Sequence, residues 1–466
     1  MQTLPLNWLS DALGIAPDTD ASGDFKGIST DTRQEMAGTV FVALLGENSN
    51  GHHYVEKAIE KGARGLIVEH PLPQVALPQW VVSDTTLAFG RIAQAYRRRF
   101  TIPVIGITGS VGKTSTKEAL GTMLNAFYPV LVSSKNYNNQ IGVPQTLLQL
   151  EPEHRVAVIE MGMRGLGQID WLAEIAEPTI GLITMIGVTH QELLGSRENI
   201  ALAKSELYTR LPKDGIAIMP EATELRAVLE RRIPEGCRVI RFGVTIDTSV
   251  DIRVLPNSLS LSAQGFPSFV VQRGNENFSV HLGVVGTQNI VNVAGVLAVA
   301  HALELPFPQA IQALEAWKGA EGRMVVRQGA QNTTLLDDCY NAAPESMRSG
   351  LETLNQVAGQ GRAVAILGDM RELGDFTEEA HRQVGENVAH SNVQTLITVG
   401  GFAKGIAQEA LRIGNRSIEW HAFSDSKACA KEVATTIREG DTVLVKGSRA
   451  MEMEQIVNAL LPKGSE

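Results

Sequence analysis

The sequence predicts an α/β protein of three domains, two of which are built on mostly parallel β-sheets. The chain has 466 residues, more than one ordinary hydrophobic core accommodates. Short and nearly continuous apolar runs recur along it, as expected of strands that are buried on both faces of a parallel sheet. Segments with helical periodicity alternate with these runs, and this alternation is typical of βαβ units.

The first predicted domain covers residues 1–83 and is of mixed α/β type. Its strand-like runs are TVFVALLG and ARGLIVE, and HYVEKAIEKGA between them has helical character. The next segment, SDTTLAFGRIAQAYRRRF, predicts a helix that Ser83 or Asp84 can cap. We expect the arginines at its end, 97–99, to be solvated. The residues predicted to share one of its faces are Leu87, Ile92, Ala95 and Tyr96.

The second predicted domain, residues 84–326, carries a mostly parallel sheet. IPVIGIT, VAVIEM and TIGLITMI are its strands, and KTSTKEALGTMLNAF and SRENIALAKSELYTRL are helices between or after them. Residues 236–285 alternate between β-runs and turn signals, which predicts a small antiparallel appendage. TQNIVNVAGVLAVAHAL then predicts an apolar helix.

The third predicted domain, residues 327–466, is Rossmann-like. TTLLDD, RAVAILGD, QTLITVG and DTVLVKG read as strands with helices between them, which is the pattern of a doubly wound sheet.

The composition excludes several classes of protein. The formal net charge of −10 argues against a nucleic-acid partner. The three cysteines form no Cys-x-x-Cys pair, so neither a disulfide framework nor a zinc site is indicated. The start of the chain lacks the pattern of a secretory signal, and no apolar run is long enough for a membrane span. We therefore expect a cytoplasmic protein, and a monomer.

A glycine-bearing turn between a predicted strand and helix has the character of a phosphate-binding loop. It reads TGSVGKTS, a shorter form of the usual G-x-x-x-x-G-K-[ST] spacing. Backbone N–H groups at the helix start and the helix dipole attract an anion, and the lysine and the following threonine suit phosphate and Mg²⁺. We therefore predict nucleotide binding, and the alternative is a plain glycine turn. The loop residues are Thr108, Gly109, Ser110, Val111, Gly112, Lys113, Thr114 and Ser115.

Three further residues carry weaker signals. Glu160 closes a predicted parallel strand, so its carboxylate faces the crevice where ligands bind and could hold magnesium, or it could cap a turn. His190 follows another strand end, although a lone histidine is more often structural. Lys204 lies in mid-helix, and nothing local distinguishes it from a solvated lysine.

Taken together, the motifs resemble the Mur ligases of peptidoglycan synthesis. The matching strings are TGSVGKTS, EMG, THQELLGSRENIALAKSEL, DDCYNAAPESM, LGDMRELGDFTEEAH and VKGSRAMEME, and the resemblance covers nearly the whole chain. It implies an N-terminal domain that binds the UDP-muramyl-peptide, a central ATP-binding domain and a C-terminal ligase domain. It further implies that ATP phosphorylates a carboxylate, and that an amine then displaces phosphate from the resulting acyl phosphate.

Within this family the chain is most similar to the branch that joins D-alanyl-D-alanine to UDP-MurNAc-tripeptide. The D-N-P-R string of the diamino-acid-adding branch is absent, and GDMRELG stands in its place as the alternative motif. Three alternatives stay open: a ligase of that other branch, a folylpolyglutamate-type ligase, and a regulatory or transport protein that uses the loop as a switch. The third residue of the tripeptide is not indicated.

The resemblance also implies roles for individual residues. Thr114 and Glu160 match ligands of a magnesium ion, His190 matches a ligand of a second one, and Lys204 matches a lysine that CO₂ converts to a carbamate ligand. Asn289 matches an adenine contact, Arg323 a phosphate contact, and Asp337 a ribose contact, with Tyr340 beside it. Without the resemblance, Asn289 would be interpreted as a capping amide, Arg323 as a surface arginine and Asp337 as a turn former.

Two loops complete the expected substrate sites. Ser29, Thr30 and Arg33 are expected to face the UDP portion. Asn138, Asn139 and Gln140 are expected at the junction of the ATP and muramyl-peptide sites. In the C-terminal domain, residues 446–449 (KGSR) are expected to face an anion.

Overall fold

The computed structural model describes residues 1–46, 49–134, 136–187, 195–221, 224–414 and 418–462. His190, one of the predicted site residues, lies outside the described residues. Sheets are present in each of the three predicted regions, and mixed α/β architecture with mostly parallel sheets is confirmed.

The N-terminal region holds a parallel sheet in which β3 to β6 lie side by side in chain order. A short antiparallel pair, β1 with β2, precedes it. Its strands are β1 Leu4–Pro5, β2 Asp24–Phe25, β3 Ile28–Ser29, β4 Val40–Val42, β5 Gly65–Val68 and β6 Gln79–Val81. Its helices are α1 Trp8–Leu13 and α2 Val55–Glu60.

Helix α3, Thr85–Arg97, connects this region to the next and forms as predicted. The Asp84 carboxylate caps it by accepting hydrogen bonds from the backbone N–H groups of Thr86 and Leu87. Ile92 and Tyr96 share a buried face, but Leu87 does not belong to it, because it is 43% exposed. Phe89 and Ala93 lie on the buried face instead.

Arg97 also departs from the expectation of a solvated helix end. It is 6% exposed. Its guanidinium group donates hydrogen bonds to the backbone carbonyls of Ala176, Phe100, Ile102 and Glu177. The arginine therefore ties α3 to the end of a central helix, because a buried charge must find partners.

The central sheet has ten strands within the described residues, in the order β14-β15-β13-β12-β11-β10-β7-β9-β8, with β16 paired to β15. Its strands are β7 Val104–Thr108, β8 Val130–Val132, β9 Val156–Glu160, β10 Ile180–Ile183, β11 Ile216–Pro220, β12 Arg238–Val244, β13 Ile252–Val254, β14 Ser260–Leu261, β15 Pro267–Arg273 and β16 Glu276–His281. Its helices are α4 Lys113–Asn125, α5 Gly142–Leu147, α6 Gln168–Ala176, α7 Arg197–Thr209, α8 Arg226–Glu230, α9 Gln288–Ala302 and α10 Phe307–Glu315.

The antiparallel part of this sheet is smaller than the predicted appendage. β12 still runs parallel to both β11 and β13, and antiparallel pairing begins only where β13 meets β15. Alternating β-runs do not reveal strand direction, which explains the difference. The antiparallel strands extend the edge of the central sheet instead of forming a separate unit.

The C-terminal sheet has six strands in the described part of the chain, in the order β17-β18-β22-β19-β20-β21. All neighbours are parallel except β17 and β18. Its strands are β17 Val325–Gln328, β18 Thr334–Asp338, β19 Ala363–Gly368, β20 Val393–Val399, β21 Glu419–Phe423 and β22 Thr442–Lys446. Its helices are α11 Pro344–Ala358, α12 Thr377–Ala389, α13 Ala403–Ile413, α14 Ser426–Glu432 and α15 Glu454–Leu460.

None of the helices in the described ranges is long and apolar enough to cross a membrane.

Candidate active site

The predicted phosphate loop lies between the end of β7 and the start of α4. Gly109 has φ +154° and Gly112 has φ +89°, both values that favour glycine. A Cβ at Gly109 would lie 1.9 Å from Thr184 Oγ1, and one at Gly112 would lie 2.2 Å from Asn292 Oδ1. Both positions therefore require glycine for their backbone angles and for lack of space.

The neighbouring strand end fixes this loop. The backbone N–H of Ser110 donates to the Met185 carbonyl at 2.7 Å, and Thr184 Oγ1 donates to the Val111 carbonyl at 2.7 Å. Thr108 Oγ1 and Ser110 Oγ are buried and have no hydrogen-bond partner among the described residues. Buried hydroxyls without partners are uncommon, and here they border a loop whose form suits a phosphate.

Lys113, the first residue of α4, folds back over the loop. Its Nζ donates to the Gly109 carbonyl at 2.7 Å. Desolvation lowers the pKa of this ammonium group, the Glu160 carboxylate raises it and the Arg323 guanidinium lowers it further. A lysine in this place can exchange its carbonyl contact for a phosphate oxygen.

Glu160, at the end of β9, is the buried carboxylate beside the loop and is 1% exposed. Its Oε1 accepts a hydrogen bond from Asn138 Nδ2 at 2.9 Å and a long one from Thr114 Oγ1 at 3.4 Å. Its Oε2 has no hydrogen-bond partner in the described part of the chain. Lys117 Nζ lies 3.7 Å from that atom. A hard cation such as Mg²⁺ fits this site, because a carboxylate and a hydroxyl oxygen converge there.

Lys204, on α7, is buried with 1% of its surface exposed. Burial, and secondarily the charge of Lys113, lower the pKa of its amine well below the ordinary value for lysine. Among the described residues, no carboxylate forms an ion pair with it. The environment therefore favours a neutral amine, which corrects the plain reading of Lys204 as a solvated lysine.

The segment that leads into the C-terminal sheet and two loops of the C-terminal region contribute side chains at the same place. The Arg323 guanidinium lies 4.3 Å from the centre of the Tyr340 ring, and that of Arg449 lies 6.0 Å from it. Arg323 is close enough to lower the pKa of Lys113. Burial raises the pKa of Tyr340, Arg323 lowers it and Glu160 raises it. The structure thus brings Arg323 and Tyr340 together with the phosphate loop.

Two other predicted nucleotide residues are buried and hydrogen-bonded to neighbouring side chains. Asp337 is buried and accepts a hydrogen bond from Arg327 Nε at 2.9 Å. Asn289 is buried near the start of α9, and its Oδ1 accepts a long hydrogen bond from Asn292 at 3.5 Å. Beside it, Gln288 Oε1 accepts a hydrogen bond from Thr353 Oγ1 of α11. This last contact joins the central and C-terminal regions.

The expectation for the KGSR loop was wrong at its first residue. Lys446 is 1% exposed and faces inward. Its Nζ donates to Asp338 Oδ2 at 2.7 Å and to the Asn341 carbonyl at 2.9 Å. Burial lowers the pKa of Lys446 and raises that of Asp338. Arg449, by contrast, is exposed beside Tyr340.

The two substrate loops differ in how firmly the structure holds them. Thr30 Oγ1 accepts a hydrogen bond from Gln145 of α5 at 3.1 Å, which joins the N-terminal and central regions. Ser29 is buried, and the Arg33 side chain is 85% exposed while paired with Asp31. Asn139 Oδ1 caps α5. Gln140 is exposed, and Asn138 contacts Glu160 as described above.

Sequence reasoning missed Lys117 and Thr184. Thr184 lies on the strand end that braces the loop. Lys117 is fully buried against Glu160. Its spacing of four residues from Lys113, which places both on one face of α4, is the signal that could have found it.

Comparison with known proteins agrees with this arrangement. Three family descriptions match: "Mur ligase family, catalytic domain" at residues 24–128, "Mur ligase middle domain" at 107–300, and "Mur ligase, glutamate ligase domain" at 322–449. A UDP-N-acetylmuramoyl-tripeptide–D-alanyl-D-alanine ligase of Synechocystis sp. is 36% identical over 447 residues, covering 95% of this chain and 94% of the relative.

Solved structures give the same result. MurF from Acinetobacter baumannii has a TM-score of 0.88 at 30% identity and covers 98% of each chain. The MurF ligase from Thermotoga maritima in complex with ADP has a TM-score of 0.81 at 26% identity, covering 93% of this chain and 96% of that one. The phosphate loop, the buried carboxylate beside it and these full-length similarities identify the chain as a member of the Mur ligase family.

Proposed function

We propose that this chain is an ATP-dependent ligase that joins D-alanyl-D-alanine to UDP-MurNAc-tripeptide in peptidoglycan precursor synthesis, forming ADP and phosphate. The observation that carries the proposal is a group of half-buried Lys113 with buried Glu160 and Lys204 beside a glycine-built phosphate loop. The chain is also 36% identical over nearly its full length to a ligase of that name. Such a group suits the transfer of phosphate between two anions.

The first step activates the carboxylate of the tripeptide. A carboxylate oxygen attacks the γ-phosphorus of ATP, ADP leaves, and an acyl phosphate forms. The two reactants repel each other, so cationic groups must stabilise the transferred charge. Lys113 and Arg323 supply positive charge at this place, and Arg323 is close enough to lower the pKa of Lys113. Holding the reactants in line contributes roughly 7–11 kcal/mol in favourable cases.

Magnesium would be held by Thr114, Glu160, His190 and Lys204, the last as a carbamate. When bound, two Mg²⁺ ions supply additional positive charge at the phosphates. The neutral amine of Lys204 attacks CO₂, forms a C–N bond and releases one proton, which yields an anionic oxygen ligand. The lowered pKa of Lys204 favours this reaction because an ammonium group has no free electron pair.

The second step forms the peptide bond. The free amine of the dipeptide attacks the acyl carbon, giving a tetrahedral intermediate, and phosphate leaves with the oxygen that came from the carboxylate. Phosphate is a good leaving group where oxide is a poor one, which is why the carboxylate must first be phosphorylated. The exclusion of water from the site protects the acyl phosphate from hydrolysis.

The remaining predicted residues take binding roles in this scheme. Asn289 contacts adenine, Asp337 the ribose, and Tyr340 packs on the nucleotide next to Arg323. Ser29, Thr30 and Arg33 face the UDP portion, and Asn138, Asn139 and Gln140 line the junction of the two sites. The boundaries 1–83, 84–326 and 327–466 separate the domains that bring these groups together, and the enzyme acts in the cytoplasm as a monomer.

The test is phosphate release from the purified protein with ATP, Mg²⁺, UDP-MurNAc-tripeptide and D-alanyl-D-alanine. We expect release only when both peptide substrates are present. Release with a diamino acid and UDP-MurNAc-dipeptide would favour the other branch of the family. ATP turnover without either substrate, or none with both, would contradict the proposed ligase.

A further inference from the structure

Lys117 is a second lysine of α4 that the reaction proposed above does not use. Its side chain is fully buried. Its Nζ lies 3.1 Å from Glu118 Oε1 and 3.7 Å from Glu160 Oε2. A buried ammonium group is costly unless carboxylates compensate its charge. The ammonium group of Lys117 therefore offsets part of the negative charge of Glu160, the carboxylate that would hold a metal ion.

The position of Glu160 does not depend on Lys117 alone. Its Oε1 is held by Asn138 at 2.9 Å, and its backbone N–H donates to Ser133 Oγ at 3.1 Å. Asn138 thus holds the Oε1 atom, whereas Lys117 lies nearest to Oε2. Removal of the lysine charge should therefore leave the carboxylate in place and change mainly the electrostatics.

The charge balance around Glu160 disfavours a metal ion that arrives by itself. Lys113 and Lys117 place two positive charges near Glu160, and the second partner of Lys117, Glu118, is 42% exposed and therefore compensates only in part. Charges in a buried place are only weakly screened by salt. A divalent cation alone would be repelled, whereas a polyphosphate would offset the excess positive charge and bring the cation with it.

We propose that Lys117 makes divalent-cation binding at Glu160 conditional on the nucleotide, by neutralising Glu160 in the free protein. The inference rests on the metal role given to Glu160 in the proposed function. It assigns Lys117 an electrostatic role, without contact to the reacting atoms. It also implies an order, with metal and nucleotide entering together.

The test measures Mn²⁺ binding to the full-length protein by electron paramagnetic resonance of free Mn²⁺, with and without a non-hydrolysable ATP analogue. We expect the wild-type protein to bind Mn²⁺ at least ~10-fold more tightly with the analogue than without it. Lys117→Met should bind Mn²⁺ without nucleotide at least ~10-fold more tightly than wild type. Lys117→Arg, which keeps the charge, should behave as wild type.

Glu118→Gln is the matched control, because it removes the other partner of Lys117 but leaves the lysine charge next to Glu160. It should show no gain of Mn²⁺ binding in the absence of nucleotide. The double variant Lys117→Met/Glu160→Gln should lose the gained site, and its persistence would place the metal elsewhere and overturn the inference. Unchanged nucleotide-free binding in Lys117→Met would also overturn it.

The wild-type measurement keeps the inference testable if Lys117→Met does not fold, and Lys117→Gln is the second variant. Equal Mn²⁺ affinity with and without the analogue in wild type would refute the role of Lys117. Calorimetric titration with the analogue distinguishes a failure of metal binding from a failure of nucleotide binding. Analogue binding without any Mn²⁺ uptake would refute the metal role in the proposed function and the inference with it, whereas failure to bind the analogue at all would contradict nucleotide binding itself.

Discussion

Lys204 shows how a residue without a sequence signal acquires chemistry from its surroundings. Helical periodicity places it in mid-helix, where a lysine is ordinarily solvated. Folding buries it within reach of the charge of Lys113, and both effects lower the pKa of its amine. Only the resemblance to a family pointed to it in advance, because burial by distant segments is not visible in a local pattern.

We expect Lys204→Ala to abolish ligase turnover, because the carbamate that would bind magnesium cannot form. Added bicarbonate should not restore activity, since the shortened side chain has no amine. Phosphate release measures turnover, and calorimetric titration with ATP shows whether the variant still binds nucleotide. In the wild-type protein, ¹³CO₂ should give a carbamate carbon signal that the variant lacks. A variant that turns over at the wild-type rate would refute the carbamate role.

Among the elements, α3 illustrates what a helical pattern predicts well and what it does not. Local sequence predicts its start, with Ser83 or Asp84 as the cap, and the structure has Asp84 in that role. The helix ends at Arg97, before the end of the predicted segment. The burial of Arg97 does not follow, because the carbonyls that it contacts at Ala176 and Glu177 come from residues about eighty positions away. The sequence does not distinguish the three adjacent arginines, and only tertiary packing determines that Arg97 is buried and the other two are exposed.

We expect Arg97→Leu to lower the free energy of unfolding by about 1–3 kcal/mol, because several buried carbonyl oxygens lose their donor. Arg99→Leu is the matched control, since Arg99 is exposed two positions further on, and should change stability by less than about 0.5 kcal/mol. Urea denaturation followed by circular dichroism measures both. Equal effects of the two substitutions would contradict the structural role of Arg97.

Helix α12 contains a buried histidine that should make the C-terminal region sensitive to acid. His381 Nδ1 lies 2.6 Å from the Thr377 carbonyl, to which it donates, and Nε2 accepts a hydrogen bond from the Met370 N–H. Burial lowers the pKa of His381. The unfolded chain therefore binds a proton at this histidine more readily than the folded chain does. The contribution of His381 to the free energy of unfolding is fully present above the ordinary histidine pKa of about 6.5 and is lost as the pH falls below it.

The free energy of unfolding, measured by urea denaturation, should fall less between pH 7.5 and pH 5.5 in His381→Gln than in wild type, because the variant has no imidazole to protonate. The difference should be at most about 1.4 kcal/mol per pH unit, the limit for one such group. His53→Gln provides the comparison, because His53 is exposed, and it should keep the wild-type dependence. A His381→Gln protein with the full wild-type loss would rule out this histidine as the cause.

In the molecule as a whole, the site is assembled from distant parts of the chain. The phosphate loop and Glu160 come from the central sheet. Arg323 comes from the segment that leads into the C-terminal sheet, and Tyr340 follows strand β18 of that sheet. Gln145 joins the central region to Thr30. Strands, helices and the loop could be predicted from local sequence. The roles of Lys117, Lys204 and Lys446 could not, because each depends on a partner or a burial that only the assembled fold creates.

The exposed contact between Arg164 and Glu372, at 3.7 Å, is weak evidence for a fixed arrangement of the domains, since exposed ion pairs contribute little. The cluster of Arg323, Tyr340, Lys113 and Glu160 matters more, because it carries the charges that the reaction needs. We propose that this cluster transfers the terminal phosphate of ATP to a carboxylate oxygen.

Isotope transfer tests that claim directly. UDP-MurNAc-tripeptide labelled with ¹⁸O in its terminal carboxylate is incubated with the protein, ATP, Mg²⁺ and D-alanyl-D-alanine, and the released phosphate is analysed by mass spectrometry. The account predicts that each phosphate carries one ¹⁸O from the carboxylate, because that oxygen becomes the bridge of the acyl phosphate and leaves with phosphorus. Product formation accompanied by unlabelled phosphate would contradict it.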